Sequence, residues 1–455
     1  MAPSLRLVGD DLPAPCVDGT SRPYLSLDTA ASTGALPAVA ARVNDFLPWY
    51  SSVHRGAGHK SQVATAAYEA ARAAAVAFAG RTDGDIAIIC RNTTEAINHL
   101  AYRLQFDPED EVVSTVVEHH ANLLPWRRRA RCRYVEVDAS GMFGVDDVVR
   151  TLEQGRRPRL LAVTGASNVT GWLPPIDDII TAAHERGVPV LVDAAQLAPH
   201  RPLPVEADFL AWSGHKMYAP FGSGVLLGPR DAFAEGDPFL AGGGAVDLVD
   251  LDEVIWTDPP EREEAGSPNV IGAVALHAAI DELSALGWAE VTAHEHDLAD
   301  RLRRGVAALP RVRLLGPPLD EPTLAVASFV VEGMTHALVA ARLSAEFAIG
   351  VRHGCFCAHP YLLRLLGLSP EEVARYRQHV IAGDRRNIPG AVRASAGLAT
   401  SSADIDRFLE ALGRVVSDEP PPIGYRQDPH TGDFWPDHPE WSSSERALGA
   451  SCARG

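Results

Sequence analysis

The stretch RLLAVTGASNVTGWLPPIDDIITAAHERGVPVLVDAAQLAPH (159–200) sets the architecture of this chain. RLLAVTGAS (159–167) and VPVLVDAA (188–195) are short apolar runs of β type, and the helical stretch PIDDIITAAHERG lies between them. Two strands joined through a helix imply a crossover connection, and hence a mostly parallel sheet covered on both faces. The same alternation extends outward. DIAIIC (85–90), EVVSTV (111–116), RYVEVD (133–138), DFLAWS (208–213) and SGVLLG (223–228) read as strands. Helices are expected at QVATAAYEAARAAAVAFA, capped by Ser61 and stopped by Gly80, at TTEAINHLAYRL (93–104), from about residue 121, and at VDDVVRTLE.

Beyond residue 266 the texture changes. Two long helical patterns (271–286 and 289–308) precede the strands VRLLGP and LAVASFVVEG, a helix at 335–347, a Cys/His-rich turn, the segment AVRASAGL and a final helix, SADIDRFLEALGRVV. The expectation is an α/β fold. A large domain (26–290) carries the mostly parallel sheet flanked by helices, and a smaller α/β domain spans 291–417. Residues 1–25 pack with the smaller domain, and a polar tail (418–455) stays poorly ordered unless it docks on the body. PYLLRLLGLSPEEVARYRQHVIAG, within 361–389, has helical periodicity.

Composition narrows the function. The 455 residues are 46% apolar and 22% charged, ordinary for a globular protein, with a formal charge of −18. That acidic balance argues against a nucleic-acid partner, and no apolar run approaches the ~20 residues of a membrane span. Cys16, Cys90, Cys132, Cys355, Cys357 and Cys452 are too sparse for a disulfide scaffold, which suggests a reduced, cytoplasmic protein. Only two lysines occur, Lys60 and Lys216, so any chemistry that needs a deprotonatable amine has two candidates.

Several motifs bear on chemistry. HRGAGHKS (54–61) fails as a phosphate loop, because His59 separates Gly58 from Lys60. HGCFCAH (353–359) packs two Cys and two His into seven residues, a spacing that rarely completes a tetrahedral metal site, so metal ranks well below a reactive-thiol reading. Arg352, His353 and His359 instead suggest reactive thiols, with buried core cysteines as the competing reading. RNTTEAIN (91–98) puts Thr93 and Thr94 at a helix N-terminus, where an anion is attracted, although the motif alone favours ordinary N-capping by threonine. VLVDAAQ (190–196) ends a strand on Asp193, facing the crevice where open α/β sheets bind ligands. WSGHKM (212–217) sets Lys216 after the next strand, between Ser213 and His215. A lysine can hold an aldehyde cofactor as a Schiff base, an acid can keep a pyridine nitrogen protonated, and a helix start can hold a phosphate. Those are the requirements of pyridoxal phosphate as an electron sink.

The chain resembles the cysteine desulfurase and selenocysteine lyase family, among the class V aminotransferase-like pyridoxal-phosphate enzymes of fold type I. The resemblance runs from about Tyr24 to Leu412. It rests on YLSLDTAAST, SSVHRGAGHKS, RNTTEAIN, EHHANLLPW, SNVTG, VDAAQLAPH, DFLAWSGHKMYAPFGSG, GSPN, VRHGCFCAHP and VRAS. It implies Lys216 as the Schiff-base lysine, Asp193 as partner of the pyridine nitrogen, Gln196 as donor to the ring hydroxyl and His119 as the residue stacked on the ring. Thr94, Ser213 and His215 match phosphate ligands. Ser267 matches a phosphate contact made to the neighbouring subunit, hence a homodimer. Asn168 and Arg393 match holders of the substrate carboxylate, and His54 and Arg352 residues lining the substrate pocket. Cys357 matches the sulfur-accepting cysteine, with Cys355 a second candidate. The implied reaction turns L-cysteine or a related amino acid into alanine, with sulfur passing through a Cys357 persulfide to an acceptor protein or small thiol. The alternatives are a lyase, epimerase or aminotransferase of the same fold with a structural Cys357, and a non-catalytic sulfur-carrier scaffold, against which an intact Lys216, Asp193 and His119 set argues. The connection of 35 residues between Cys357 and Arg393 is longer than is usual in the family, and could cover the pocket, dock an acceptor or reposition the thiol.

Overall fold

A computed structural model describes residues 5–82, 84–417, 419–438 and 441. Seven strands form the central sheet: β1 (Asp85–Cys90), β2 (Glu111–Thr115), β3 (Arg131–Val135), β4 (Pro158–Thr164), β5 (Val190–Asp193), β6 (Phe209–Ser213) and β7 (Gly224–Pro229). Their spatial order is β1-β7-β6-β5-β4-β2-β3. β7 runs antiparallel to both its neighbours, and every other pair is parallel. The apolar runs are continuous because both faces are covered. In β4, Leu161 and Val163 face one core while Leu160 and Ala162 face the other.

Helix α1 (His59–Phe78) begins three residues earlier than the serine cap predicts. Gly58 holds the cap position, and Ser61 is buried inside the helix with its hydroxyl bonded to the Ser52 carbonyl. Helix α2 (Thr93–Arg103) starts on time, but Asn92, not a threonine, caps it by accepting from Glu95 N. The helix expected from residue 121 is only a 3-10 turn and a single short turn at Leu124–Arg127. The periods at 271–286 and 289–308 are helices α3 (Val270–Leu286) and α4 (Trp288–Ala307).

The second sheet is antiparallel throughout. Strands β8 (Val312–Leu315), β9 (Val326–Val331), β10 (Arg352–Gly354) and β11 (Ala391–Ser395) lie in the order β8-β9-β11-β10. Helix α5 (His336–Phe347) packs on it. Leu25 and Leu27 enter the same core, and Leu25–Ser26 pair in parallel with Ile349–Gly350. The helical period within 361–389 breaks in two, α6 (His359–Leu365) and α7 (Pro370–Ile381). Gly367 at φ +69° ends the first turn, and a Ser369–Glu372 capping box starts the next. Helix α8 (Ser402–Val416) starts at Ser401, whose hydroxyl accepts from Asp404 N.

The tail expectation divides. Tyr425–Gln427 (β12) and Phe434–Pro436 (β13) pair as a hairpin, and Tyr425 donates to Glu346. Residues 418, 439–440 and 442–455, with Cys452, lie outside the described residues. Among the described residues no single helix is long and apolar enough to cross a membrane.

A Cβ at Gly224 would lie 2.7 Å from Asn92 Cα and 2.8 Å from the Trp212 carbonyl oxygen, both backbone atoms that cannot yield cheaply. Gly224→Ala is therefore expected to lower unfolding free energy by about 1–3 kcal/mol in a urea titration, as overpacking does. Gly243→Ala, with no atom within 4 Å of its Cβ, should leave the midpoint within experimental scatter.

Candidate active site

The central strands deliver their carboxyl ends to one cavity of about 850 Å³. Asp193 ends β5 and Ser213 ends β6. Lys216 follows on the 3-10 turn Gly214–Lys216, and α2 starts beside them. Across the cavity stand β10 and the turn that follows it, carrying Cys355, Phe356 and Cys357. Ligand placement at the ends of parallel strands follows from the crossover topology.

Lys216 is the amine that lines this cavity. Burial lowers its pKa to about 8. Asp193 opposes that shift, Arg393 adds to it and Cys357 opposes it weakly. Roughly a tenth of the amine is therefore unprotonated at pH 7, far more than for an ordinary lysine. Asp193 is 3% exposed and accepts from Ala195 N at 3.0 Å. Burial pushes its carboxyl up, with the Ala195 N–H and Lys216 opposing. A cationic ring nitrogen would favour its charged form.

His119 accepts from Ala121 N through Nδ1 at 3.1 Å, which leaves Nε2 as the protonated nitrogen of the neutral ring. Burial, then Lys216, His120 and Arg393, lower its pKa to about 3, so the ring is neutral. The preceding Glu118, which the sequence reading passed over, is fully buried. It accepts from Thr115 Oγ1, Asn122 Nδ2 and Thr164 N, and burial raises its pKa to about 8. It ties the His119 loop to β2 and β4.

The start of α2 is tied to Ser213, whose hydroxyl accepts from Thr93 N at 2.8 Å and lies 2.6 Å from Thr93 Oγ1. Thr94 is exposed to the cavity. The His215 ring lies 3.3 Å from the Ser32 hydroxyl, and burial lowers its pKa. Hydroxyls, an imidazole and a helix N-terminus together suit a phosphate. Gln196 lines the cavity and spends one amide hydrogen on the Ala30 carbonyl at 2.6 Å. Amine, acid, aromatic ring and anion cup converge on one space, so the residues present fit pyridoxal phosphate.

Opposite this cup, Arg393 is 2% exposed. It donates to the Asn168 carbonyl at 2.8 Å and to Asp28 at 3.0 Å, and it stacks 5.0 Å from the Phe356 ring centre. Its buried Nε alone lacks an acceptor among the described residues. Burial lowers its pKa to about 10, with Asp28 opposing. Asp28 also pairs with Arg352 at 2.9 Å. It is a site residue that the quoted YLSLDTAAST contained but the reading did not single out.

The Cys357 turn is held under strain. Phe356 (φ +54°) and Cys357 (φ +55°) are both left-handed without being glycine, at a cost of roughly 1–2 kcal/mol each. Three hydrogen bonds offset that cost: His120 N to the Cys357 carbonyl at 2.7 Å, Asn168 Nδ2 to the Phe356 carbonyl at 2.8 Å, and Ala358 N to the Cys355 carbonyl at 3.0 Å. The turn leaves Cys357 exposed and Cys355 half-buried. The expected thiol activation by cationic neighbours is not met at Cys355. Burial pushes that thiol up, both His353 and His359 are pushed down by burial, and Arg352 is paired with Asp28.

Two expected residues lie away from the cavity. His54 sits 2.7 Å from Glu69, in a network where Arg72 binds Glu69, Glu261 and Glu264. Ser267 is exposed, two residues before the Asn269 cap of α3.

A lysine, a buried acid and an anion cup at the carboxyl ends of a doubly covered sheet define a site for a phosphorylated aldehyde cofactor. The chain belongs to the aminotransferase class-V family, which matches residues 25–408. It is 35% identical over 407 residues to a cysteine desulfurase of Dickeya dadantii, covering 87% of this chain and 92% of that protein. It is 38% identical over 401 residues to a probable cysteine desulfurase of Pseudomonas aeruginosa (86% and 93%). Among solved structures, the apo cysteine desulfurase of Thermococcus onnurineus superposes with a TM-score of 0.76 at 31% identity, over 86% of this chain and 94% of that one. The cysteine desulfurase CsdA of Escherichia coli, in its S-sulfonic acid form, gives 0.74 at 31% (86% and 94%).

The depressed Lys216 pKa has a measurable consequence. The unprotonated amine increases as pH rises through about 8, more than two units below an ordinary lysine. Borohydride trapping of pyridoxal phosphate on the apoprotein is expected to label Lys216 rather than Lys60 in peptide mapping. The initial rate should climb from pH 7 and level off near pH 9. A rate still climbing steeply at pH 10 would contradict the lowered pKa.

Proposed function

We propose that this chain is a pyridoxal-phosphate-dependent cysteine desulfurase that converts L-cysteine to L-alanine and carries the sulfur on Cys357. The observation that carries the reading is the shared cavity: Lys216 and Cys357 line the same space, and so do Arg393 and Asn168, both in contact with Phe356 of the thiol turn. The relatives named cysteine desulfurase, which align over most of the chain, support it.

Lys216, Asp193, Gln196, His119, Thr94, Ser213 and His215 would hold the cofactor. When bound, pyridoxal phosphate supplies an electron sink for the carbon that bears the substrate amine. Arg393 and Asn168 orient the substrate carboxylate, and the unpaired Nε of Arg393 is a donor available for it. Lys216, with its pKa near 8, takes and returns the proton at the substrate α-carbon. The Cys357 thiolate attacks the substrate sulfur: a sulfur–sulfur bond forms, the carbon–sulfur bond breaks, and the electron pair stays with the carbon fragment. That carbon gains a proton, and alanine leaves. His119, neutral with hydrogen on Nε2, is placed to pass protons within the cavity. The net change is cysteine plus enzyme thiol to alanine plus enzyme persulfide, so no outside oxidant enters. An acceptor protein or small thiol then removes the sulfur.

The same reading includes a homodimer, in which Ser267 meets the partner's phosphate site, and a cytoplasmic setting. Exposure of Ser267 beside the start of α3 is compatible with the dimer. His54 would line the substrate pocket only from across that interface. The division at residues 26–290 and 291–417, with 1–25 joining the smaller unit, belongs to this proposal as well.

Cys357→Ala is expected to cut alanine formation from L-cysteine at least a hundredfold, with cofactor absorbance retained. Cys355→Ala should keep turnover within a few-fold. Cys357→Gly separates chemistry from folding. It relieves a left-handed residue, so its Tm should equal or exceed the natural chain's while turnover is lost. Full turnover by Cys357→Ala, or pyruvate and ammonia in place of alanine, would favour a lyase.

A further inference from the structure

The cavity does not end at the reacting centre. Thr431 and Gly432, in the turn between β12 and β13, line its outer wall together with Arg385, Arg386 and Tyr376. This hairpin lies beyond residue 408, where the match to the family stops. A segment beyond the residues matched by the family therefore lines this cavity.

The hairpin is fixed in place. Arg385 N donates to the Pro429 carbonyl at 2.9 Å, and Gln427 Nε2 to the Arg386 carbonyl at 2.8 Å. The turn is closed on itself by Asp428, which accepts from His430 N at 2.7 Å, and by Gly432 N donating to the Asp428 carbonyl at 2.8 Å. Gly432 is left-handed at φ +82°, and a Cβ there would lie 2.5 Å from the Arg385 carbonyl oxygen. Only glycine allows the turn to close this tightly on Arg385. On the other side Asp433 meets His353 at 3.3 Å, His353 meets His336 at 3.3 Å, and the His336 ring meets the Ile388 carbonyl at 3.1 Å. The hairpin thus joins the strand that leads to Cys357 and the segment 385–390.

Charged groups of both signs stand on this wall, and Arg385 is exposed there. Asp28 is taken by Arg352 and Arg393 and Asp384 by Arg386, Asp433 lies against the His353 ring, and Asp428 accepts from the backbone of its own turn. The Arg385 guanidinium has no acid or carbonyl partner among the described residues, although its backbone is pinned. An arginine held by its main chain, lining a cavity and left without an anion, suits a carboxylate from a ligand. L-cysteine carries one carboxylate, already assigned to Arg393 and Asn168. The other molecule that must reach Cys357 is the sulfur acceptor.

We propose that Arg385, framed by the 425–436 hairpin, is a second anion subsite of the catalytic cavity, and that it selects a small thiol acceptor bearing a carboxylate. This rests on the desulfurase reading for the identity of the ligand. The acceptor thiolate attacks the outer sulfur of the Cys357 persulfide, the sulfur–sulfur bond at Cys357 breaks, and Cys357 leaves as a thiolate. The acceptor departs as a persulfide, and no further oxidant or reductant is consumed.

The test has two arms on the holoenzyme. In the first, backbone hydrogen exchange is followed while succinate or the uncharged succinamide is added. Succinate is expected to slow exchange at 384–390 and 425–437, and succinamide to leave it unchanged. Arg385→Ala should raise the succinate concentration needed about tenfold, the scale of one lost charge-assisted contact, and Arg385→Lys should raise it less. In the second, alanine formation from L-cysteine is compared with mercaptosuccinate and with 2-mercaptoethanol as acceptor. The ratio of their rates should fall about tenfold in Arg385→Ala. Equal protection by the charged and uncharged probes, or unaltered succinate binding by Arg385→Ala, overturns the subsite. An exchange response that depends on Arg385, with an unaltered thiol ratio, overturns the acceptor assignment. Absence of alanine with the exchange response intact faults the desulfurase reading and leaves the anion subsite supported.

Discussion

The structure turns on the burial of one amine beside one carboxylate. Lys216 and Asp193 are delivered by adjacent parallel strands, β6 and β5, whose carboxyl ends open into the same cavity. Burial alone would drive the amine towards neutrality and the acid towards protonation, and each restrains the other. The outcome is an amine with a pKa near 8, reactive at neutral pH yet still able to hold a proton. The continuous apolar strands, the helices on both faces and the tie between Thr93 and Ser213 all serve to keep this pair in place.

Around that pair the protein concentrates positive charge and strain on one side. Arg393 and Arg352 share Asp28, which bridges the N-terminal segment and the antiparallel sheet. Arg393 also stacks on Phe356, and Asn168 holds the Phe356 carbonyl. The same groups that are suited to a carboxylate therefore also hold the left-handed turn that presents Cys357. The Arg393 guanidinium and the thiol turn are mechanically one unit, so damage to Asn168 or Asp28 should disturb both.

Much of this was legible in the residues. Alternating apolar and helical runs gave the parallel sheet, because a strand buried on both faces leaves no other pattern. The meeting of Asp193, Ser213, His215 and Lys216 at one cavity was legible too, since they sit at strand ends that topology brings together. The thiol side was less so. Nothing in HGCFC announces that Phe356 and Cys357 adopt left-handed backbone, or that Cys355 turns inward, because those depend on contacts from His120 and Asn168, far away in sequence. Asp28 and Glu118 escaped notice for the same reason: their roles come from partners remote in the chain. Ser61 misled because a serine ahead of an apolar period looks like a cap, whereas its hydroxyl is used against Ser52. The tail hairpin was hidden by composition, since Pro, Asp and Gly suit a disordered segment as well as a tight turn.

The most direct measurement is the mass of the Cys357 peptide after a single exposure of the holoenzyme to L-cysteine without acceptor thiol, followed by alkylation. The account predicts one added sulfur atom on Cys357, formed in step with one alanine per active site. Alanine released with Cys357 unmodified, or the added sulfur found on Cys355 instead, would contradict it.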